Sequence, residues 1–143
     1  MFIPDKSKFR SFEFVPPEIY NYFGEELSYH FINDSILMFV VKIRTYFNCR
    51  VFINNWYWNG DLENRGFRLY KCDIGATFSQ HKFGNAIDFD VDGMTAEEVR
   101  QAIIEKQDLF PEITRLESDV SWIHGDKKDT GKKDIVTFSP GEE

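Results

Sequence analysis

The chain reads as a single α+β domain, with helices placed early and strands gathered late into a mainly antiparallel sheet, hairpin-connected. Three observations predict this. Helical periodicity is strongest in the first third, where Ile36, Phe39, Val40, Ile43 and Phe47 recur on one face. Strand-like runs cluster later, in "NAIDFDV", "EITRLESDVSWIHGD" and "DIVTFSP". The 143 residues suit one hydrophobic core, and no internal repeat or low-complexity stretch divides them, so positions 1–143 are read as one domain.

Taken in order, residues 1–15 read as an extended arm. Pro16-Pro17 then open a short helix, "PPEIYNYFG", since proline is tolerated in a first turn, and Gly24 ends it. A stronger helix runs from Asp34, its cap, to Phe47, and Asn48 closes it. "RVFINNWYW" is predicted as a strand leading into an irregular polar segment, Asn59 to Thr77. "NAIDFDV", Asn85 to Val91, follows as a strand. "MTAEEVRQAIIEKQDLFP" is a helix with a capping box between Thr95 and Glu98, and Pro111 lies beyond its end. "EITRLESDVSWIHGD" predicts two strands about a Ser118-Asp119 turn, and "DIVTFSP" a last edge strand. "GDKKDTGKKD" is a solvated loop.

Composition narrows the function. Hydrophobic residues make up 42% and aromatics 17%, with fifteen phenylalanines, so a packed core is expected. A net charge of −7 argues against nucleic acid as a partner and gives no attraction to anionic membranes. No basic start followed by an apolar stretch marks a secretory signal, and the longest apolar run, Ile36 to Val41, is too short to span a bilayer. These features predict a protein made in the cytoplasm and soluble there. Cys49 and Cys72 match no paired metal-ligand spacing; they leave room for one disulfide, with two reduced, buried thiols the simpler reading.

One stretch concentrates chemistry: "TFSQHKFGNAIDFD", Thr77 to Asp90. His81 and Asp88 flank Gly84, so the chain can turn at the glycine and re-enter as a strand. In that strand Asp88 and Asp90 share a face, because side chains alternate. His124, beside Trp122 in a later strand, can complete a set of two imidazoles and one carboxylate. Such a set leaves a fourth tetrahedral position open, as catalytic zinc requires. The plainer alternative is a surface His–Asp hydrogen bond. His30 reads as a packed or surface histidine, and the aromatic run "NNWYWNG", Asn54 to Gly60, either packs in the core or lines a glycan or peptide groove.

"SQHKFGNAID" follows the pattern S-x-H-x-x-G-x-A-x-D, "SWIH" follows W-x-H downstream, and "RGFR", Arg65 to Arg68, matches a G-[YF]-R element. Together these resemble the zinc D-alanyl-D-alanine carboxypeptidases and the L-alanyl-D-glutamate endopeptidases of phage lysins, whose fold is shared with the Hedgehog signalling domain. The likeness covers about residues 54–126. It implies Zn2+ as cofactor, held by His81, Asp88 and His124. It implies Ser79 near the substrate or bracing the histidine loop, and Arg68 as the cation for a substrate carboxylate or the oxyanion. Asp90 would orient His81, or stand as a solvated carboxylate at the strand end. Trp122 would touch the substrate or support the ligands from behind.

The general base departs from the pattern: many members carry a glutamate three residues before the last histidine, where this chain has Ser121. "ESDVSWIH" resembles the Hedgehog branch with one extra residue, which makes Glu117 the expected base and Asp119 the reserve. A tight two-residue hairpin would put Glu117 about 13 Å along the strand from His124, so the role requires a wider loop or a kinked strand. The resemblance thus implies a zinc peptidase that hydrolyses an amide bond in peptidoglycan stem peptides, acting at the cell wall after release or carried in a virion with other virion proteins. The alternative is a weakly active or inert zinc-binding structural module of the same fold.

Overall fold

A computed structural model describes residues 1–142. The N-terminal segment is the first departure from expectation. Phe9, Phe12, Phe14 and Val15 are all buried, and residues Ser11–Glu13 form a 3-10 turn. The segment is a packed layer, not an arm, because burying each such side chain contributes about 1.5–3 kcal/mol.

Pro16-Pro17 do open a helix, α1 (Pro17–Ser28). Gly24 breaks its register with φ 80°, but the chain resumes one turn and passes into a 3-10 turn at Tyr29–Phe31. Glu25 explains the continuation: Arg10, Ser11 and the Tyr29 hydroxyl all donate to its carboxylate, fixing that turn against the N-terminal layer. Helix α2 (Asp34–Phe47) has the expected span, and Asn48 closes it in the left-handed region. Its cap is Asn33, whose side chain accepts the Ser35 N–H, while Asp34 accepts from Phe2.

Strand β1 is only Val51–Phe52; a 3-10 turn at Trp56–Trp58 replaces the rest of the expected strand. Asn54 and Asn55 cause this, their side-chain oxygens accepting the backbone N–H groups of Arg65 and Leu62 and pulling the chain into a loop. Strand β2 (Ala86–Val91) and helix α3 (Ala96–Glu105), with its Thr95–Glu98 capping box, follow as predicted. Strands β3 (Arg115–Glu117), β4 (Ile123–Asp126) and β5 (Val136–Phe138) complete the sheet.

The sheet has five strands in the order β1-β2-β4-β3-β5 and is mixed: three pairings are antiparallel, while β5 runs parallel to β3. The Ser118-Asp119 turn is also wider than predicted, since residues 118–122 all lie between β3 and β4. Arg100 of α3 holds that loop open by donating to the Val120 and Trp122 carbonyls.

Alternation divides the sheet into two faces. Ile87, Phe89, Leu116 and Ile123 join the buried core with Phe39 and Val40 of α2. The Phe39 ring meets Phe89 and Phe110 edge to face, at 5.8 and 5.9 Å. The opposite face carries Asp88, Arg115, Glu117, His124 and Asp126, all buried. Cys49 and Cys72 are free and only half-buried, contrary to the expected buried pair. Among the described residues no helix is long and apolar enough to cross a membrane.

Truncating the aromatic keystone, Phe39→Ala, is expected to cost about 3–5 kcal/mol of unfolding free energy, measured by denaturant titration. Burial also pushes the Glu13 carboxyl up from its ordinary 4.5 to about 7. The folded protein therefore holds this proton to higher pH than the unfolded chain, so stability falls as pH rises from 4.5 through 7. Glu13→Gln should remove a slope worth about 3 kcal/mol across that window, read from denaturation midpoints at pH 5 and pH 8.

Candidate metal centre

Register brings the first two candidate ligands together. Asp88 of β2 lies directly opposite His124 of β4, and His124 Nδ1 donates to Asp88 Oδ1 at 2.7 Å. His81 arrives on a separate 3-10 turn, Gln80–Phe83, capped by the Ser79 hydroxyl, which accepts the His81 N–H. Ser79 thus braces the histidine loop, one of its two expected roles. Gly84 ends the turn at φ 70°, and a Cβ there would fall 2.2 Å from the Phe31 carbonyl oxygen.

The "RGFR" segment straps the histidine turn to β2. The Arg65 carbonyl accepts the Asp88 N–H at 2.7 Å, and the Arg68 N–H donates to the His81 carbonyl. Gly66 is required between them: its carbonyl accepts His81 Nδ1–H at 2.8 Å, and a Cβ would sit 2.2 Å from the Phe14 oxygen. The Arg68 guanidinium donates to Asp88 Oδ2 and to the carbonyls of Asn64 and Ile74.

With Nδ1 committed to Gly66, His81 Nε2 points inward. It lies 3.3 Å from Asp88 Oδ2 yet makes no hydrogen bond, although the ring is only 2% exposed. A buried ring nitrogen without a partner is costly, and this one converges with two further donors. One ligand atom each from His81, Asp88 and His124 lies within 4.8 Å of the others. This buried group could hold a metal ion, and two imidazoles with one carboxylate are a donor set suited to zinc.

The electrostatics agree with a cation-ready site. Burial alone would raise the Asp88 carboxyl, but the His81 and His124 rings hold it far below the usual carboxylate range. Burial would lower the His124 imidazole, yet hydrogen bonds to Asp126 and Asp88 outweigh it and raise the group to about 10. The first of those carboxylates, Asp126, was not among the residues the sequence singled out. His124 Nε2 donates to Asp126 Oδ2 at 2.8 Å, and Arg115 grips the same carboxylate with two bonds, 2.9 and 2.7 Å. Arg115 lies in turn over the Phe138 ring, 4.0 Å from its centroid. Asp126 is fully buried, and His124 and Arg115 hold its carboxyl down at about 2 despite burial, which alone would raise it. Fixing Nε2–H leaves Nδ1 of His124 as the ligand atom. The signal was available, since His124 and Asp126 alternate on one strand face as Asp88 and Asp90 do.

Asp90 does not orient His81. It pairs with Arg65 at 2.8 Å, because two residues along β2 carry it toward β1, and the Gly66 carbonyl fills the role instead. Glu117, by contrast, is brought in. The β3–β4 register, Leu116 opposite Gly125, sets Glu117 level with His124 when continued by one residue. Glu117 lines a cavity of about 230 Å³ with the three ligands, Arg68 and Trp122. The wide 118–122 loop makes this possible and removes the 13 Å separation of a tight hairpin. Asp119 and Ser121 are exposed on that loop, and His30 is exposed elsewhere.

No protein-family model matches the chain, and no curated protein or solved structure matches it significantly.

Two measurements check this site. Metal uptake must displace the Nδ1 proton of His124, so calorimetry in buffers of different ionisation enthalpy should report about one proton released, with apparent affinity rising about tenfold per pH unit from 6 to 8. Asp126→Asn should weaken metal binding by about 10–100-fold, read by competition with a chromophoric chelator.

Proposed function

We propose that the chain is a zinc-dependent peptidase that hydrolyses an amide bond in peptidoglycan stem peptides. The observation that carries the reading is the unpartnered His81 Nε2, aimed at Asp88 beside His124, in a cavity that also holds the Glu117 carboxylate. A divalent ion held by His81, Asp88 and His124 would supply a Lewis acid and lower the pKa of a coordinated water to about 7.

The protein's own groups divide the remaining tasks. Glu117 takes a proton from the attacking water and returns it to the leaving nitrogen. Asp126, backed by Arg115, keeps the His124 ring in one tautomer and orientation. The Gly66 carbonyl does the same for His81. Arg68 walls both the ligand cavity and an adjoining groove of about 270 Å³, where its guanidinium faces an incoming carboxylate or carbonyl oxygen. Trp122 lines both spaces, where its ring would meet the substrate. A phage-type lysin or virion component acting at the cell wall fits this chemistry.

One observation favours a second reading, an inert metal-binding module: the Arg68 guanidinium already donates to three protein acceptors, Asn64, Ile74 and Asp88, and has less left for a substrate. The same assay separates the two. Zinc-loaded protein is incubated with synthetic stem peptides containing the L-Ala-D-Glu and D-Ala-D-Ala bonds, and new amines are counted. The peptidase should release product, His81→Ala and Asp88→Ala should abolish it, and Glu117→Gln should lower kcat by about 10²–10⁴ while metal content is unchanged. Bound zinc with no product from the parent protein would overturn the peptidase reading in favour of the inert module.

A further inference from the structure

A cavity of about 550 Å³ lies away from the candidate metal site, between the N-terminal layer, α2 and β1. Its lining is unusual for a chain with net charge −7, because five cations gather on it: Lys6, Lys8, Arg10, Arg44 and Arg50. Lys6 and Arg10 are paired, with Glu26 and Glu25. Lys8, Arg44 and Arg50 form no ion pair among the described residues; Arg44 donates only to the Lys8 carbonyl and covers the Phe9 ring. Positive charge is therefore concentrated in a concave space, and three of its five cations make no direct ion pair among the described residues, with Asp5 and Glu13 the acidic groups near Arg44. A multiply hydrogen-bonding anion is the ligand this favours.

Two further features restrict the kind of anion. Trp58 stands on the wall with 59% of its surface exposed, steadied edge to face against the buried Phe12 ring at 5.1 Å. An exposed, held indole offers its electron-rich face to polarised C–H groups. The buried Glu13 carboxyl and the exposed Asn55 amide also line the space. These supply an acceptor and a donor for hydroxyl groups. Cations, one flat aromatic face and paired hydroxyl partners in a space of this volume match a sugar ring bearing a carboxylate.

We propose that this cavity is a binding site for an acidic saccharide, with Lys8, Arg44 and Arg50 taking its carboxylate and Trp58 its ring face. The site does not depend on the peptidase reading. Leu62 lines both this cavity and the groove that reaches Arg68, Asp88 and Trp122.

The test is calorimetric titration of the full chain, with and without chelator, using tetragalacturonate, neutral maltotetraose, inorganic phosphate and a short single-stranded oligonucleotide as probes. Tetragalacturonate should bind equally in metal-loaded and chelated protein, with affinity falling as salt rises. Maltotetraose should bind weaker by about tenfold or more, the loss of at least one charge-assisted hydrogen bond. Arg50→Glu and Trp58→Ala, both at exposed positions, should each weaken tetragalacturonate by a similar factor while far-ultraviolet dichroism and metal affinity stay unchanged. Absence of tetragalacturonate binding would overturn the proposal. So would equal displacement by phosphate or by the oligonucleotide, or an unchanged affinity in Trp58→Ala, each of which indicates a general anion surface. Failure of the peptidase assay leaves these readouts untouched.

Discussion

The buried carboxylate of Asp88 is the constraint around which the polar face is built. A charge removed from water is tolerated only where neighbours replace its hydration. Here the replacement comes from three directions: His124 across the β2–β4 pair, His81 from the preceding turn, and Arg68 from the strap before it. Each contact depends on register. A one-residue slip of β2 against β4 would turn Asp88 toward the core and bring Phe89 or Ile87 to the polar side. The apolar face against α2 and the charged face around Asp88 therefore specify the same alignment, each excluding the slip that the other could not survive.

Rigidity follows from the same arrangement. Both strand-borne ligands sit on paired strands, and the third is clamped at its backbone by Ser79, at its carbonyl by Arg68 and at its ring by Gly66. Gly66 serves two ends, since its carbonyl aims the ring and its missing side chain lets Phe14 approach. The N-terminal layer thus reaches the candidate metal site through Phe14, whose carbonyl accepts the Phe67 N–H. Behind His124 the sequence Asp126, Arg115, Phe138 forms a line of alternating contacts across β4, β3 and β5. The parallel edge strand, which hairpin reasoning would not supply, is what brings Phe138 beneath Arg115.

Much of this was legible along the chain wherever a local signal had no competitor. The apolar spacing of α2, the Thr95–Glu98 capping box and the alternation of Ala86–Val91 each predicted an element that formed nearly as expected. Local reading failed where side chains compete for distant backbone. Asn54 and Asn55 cut β1 short by bonding residues 65 and 62. Glu25 carried α1 past Gly24 by gathering donors from the N-terminal layer, and Arg100 widened the β3–β4 loop by holding two of its carbonyls. At the site, His81, Asp88 and His124 were identifiable from motif and alternation, whereas the position of Asp90 beside Arg65 was not, because it depends on which neighbouring strand lies closer.

By itself the amino-acid order determined which groups are available: two imidazoles and a carboxylate on a turn and two strands, a glycine for each tight approach, and an apolar stripe on α2 to cover one face of a sheet. Tertiary structure decided which of the remaining carboxylates serve them. Glu117 reaches the ligand cavity and Asp126 holds His124, while Asp90 is turned aside, because strand order and loop width set distances that spacing along the backbone does not encode. A backbone records neighbours in sequence; the pairing of β2 with β4, and of β4 with β3, makes neighbours in space.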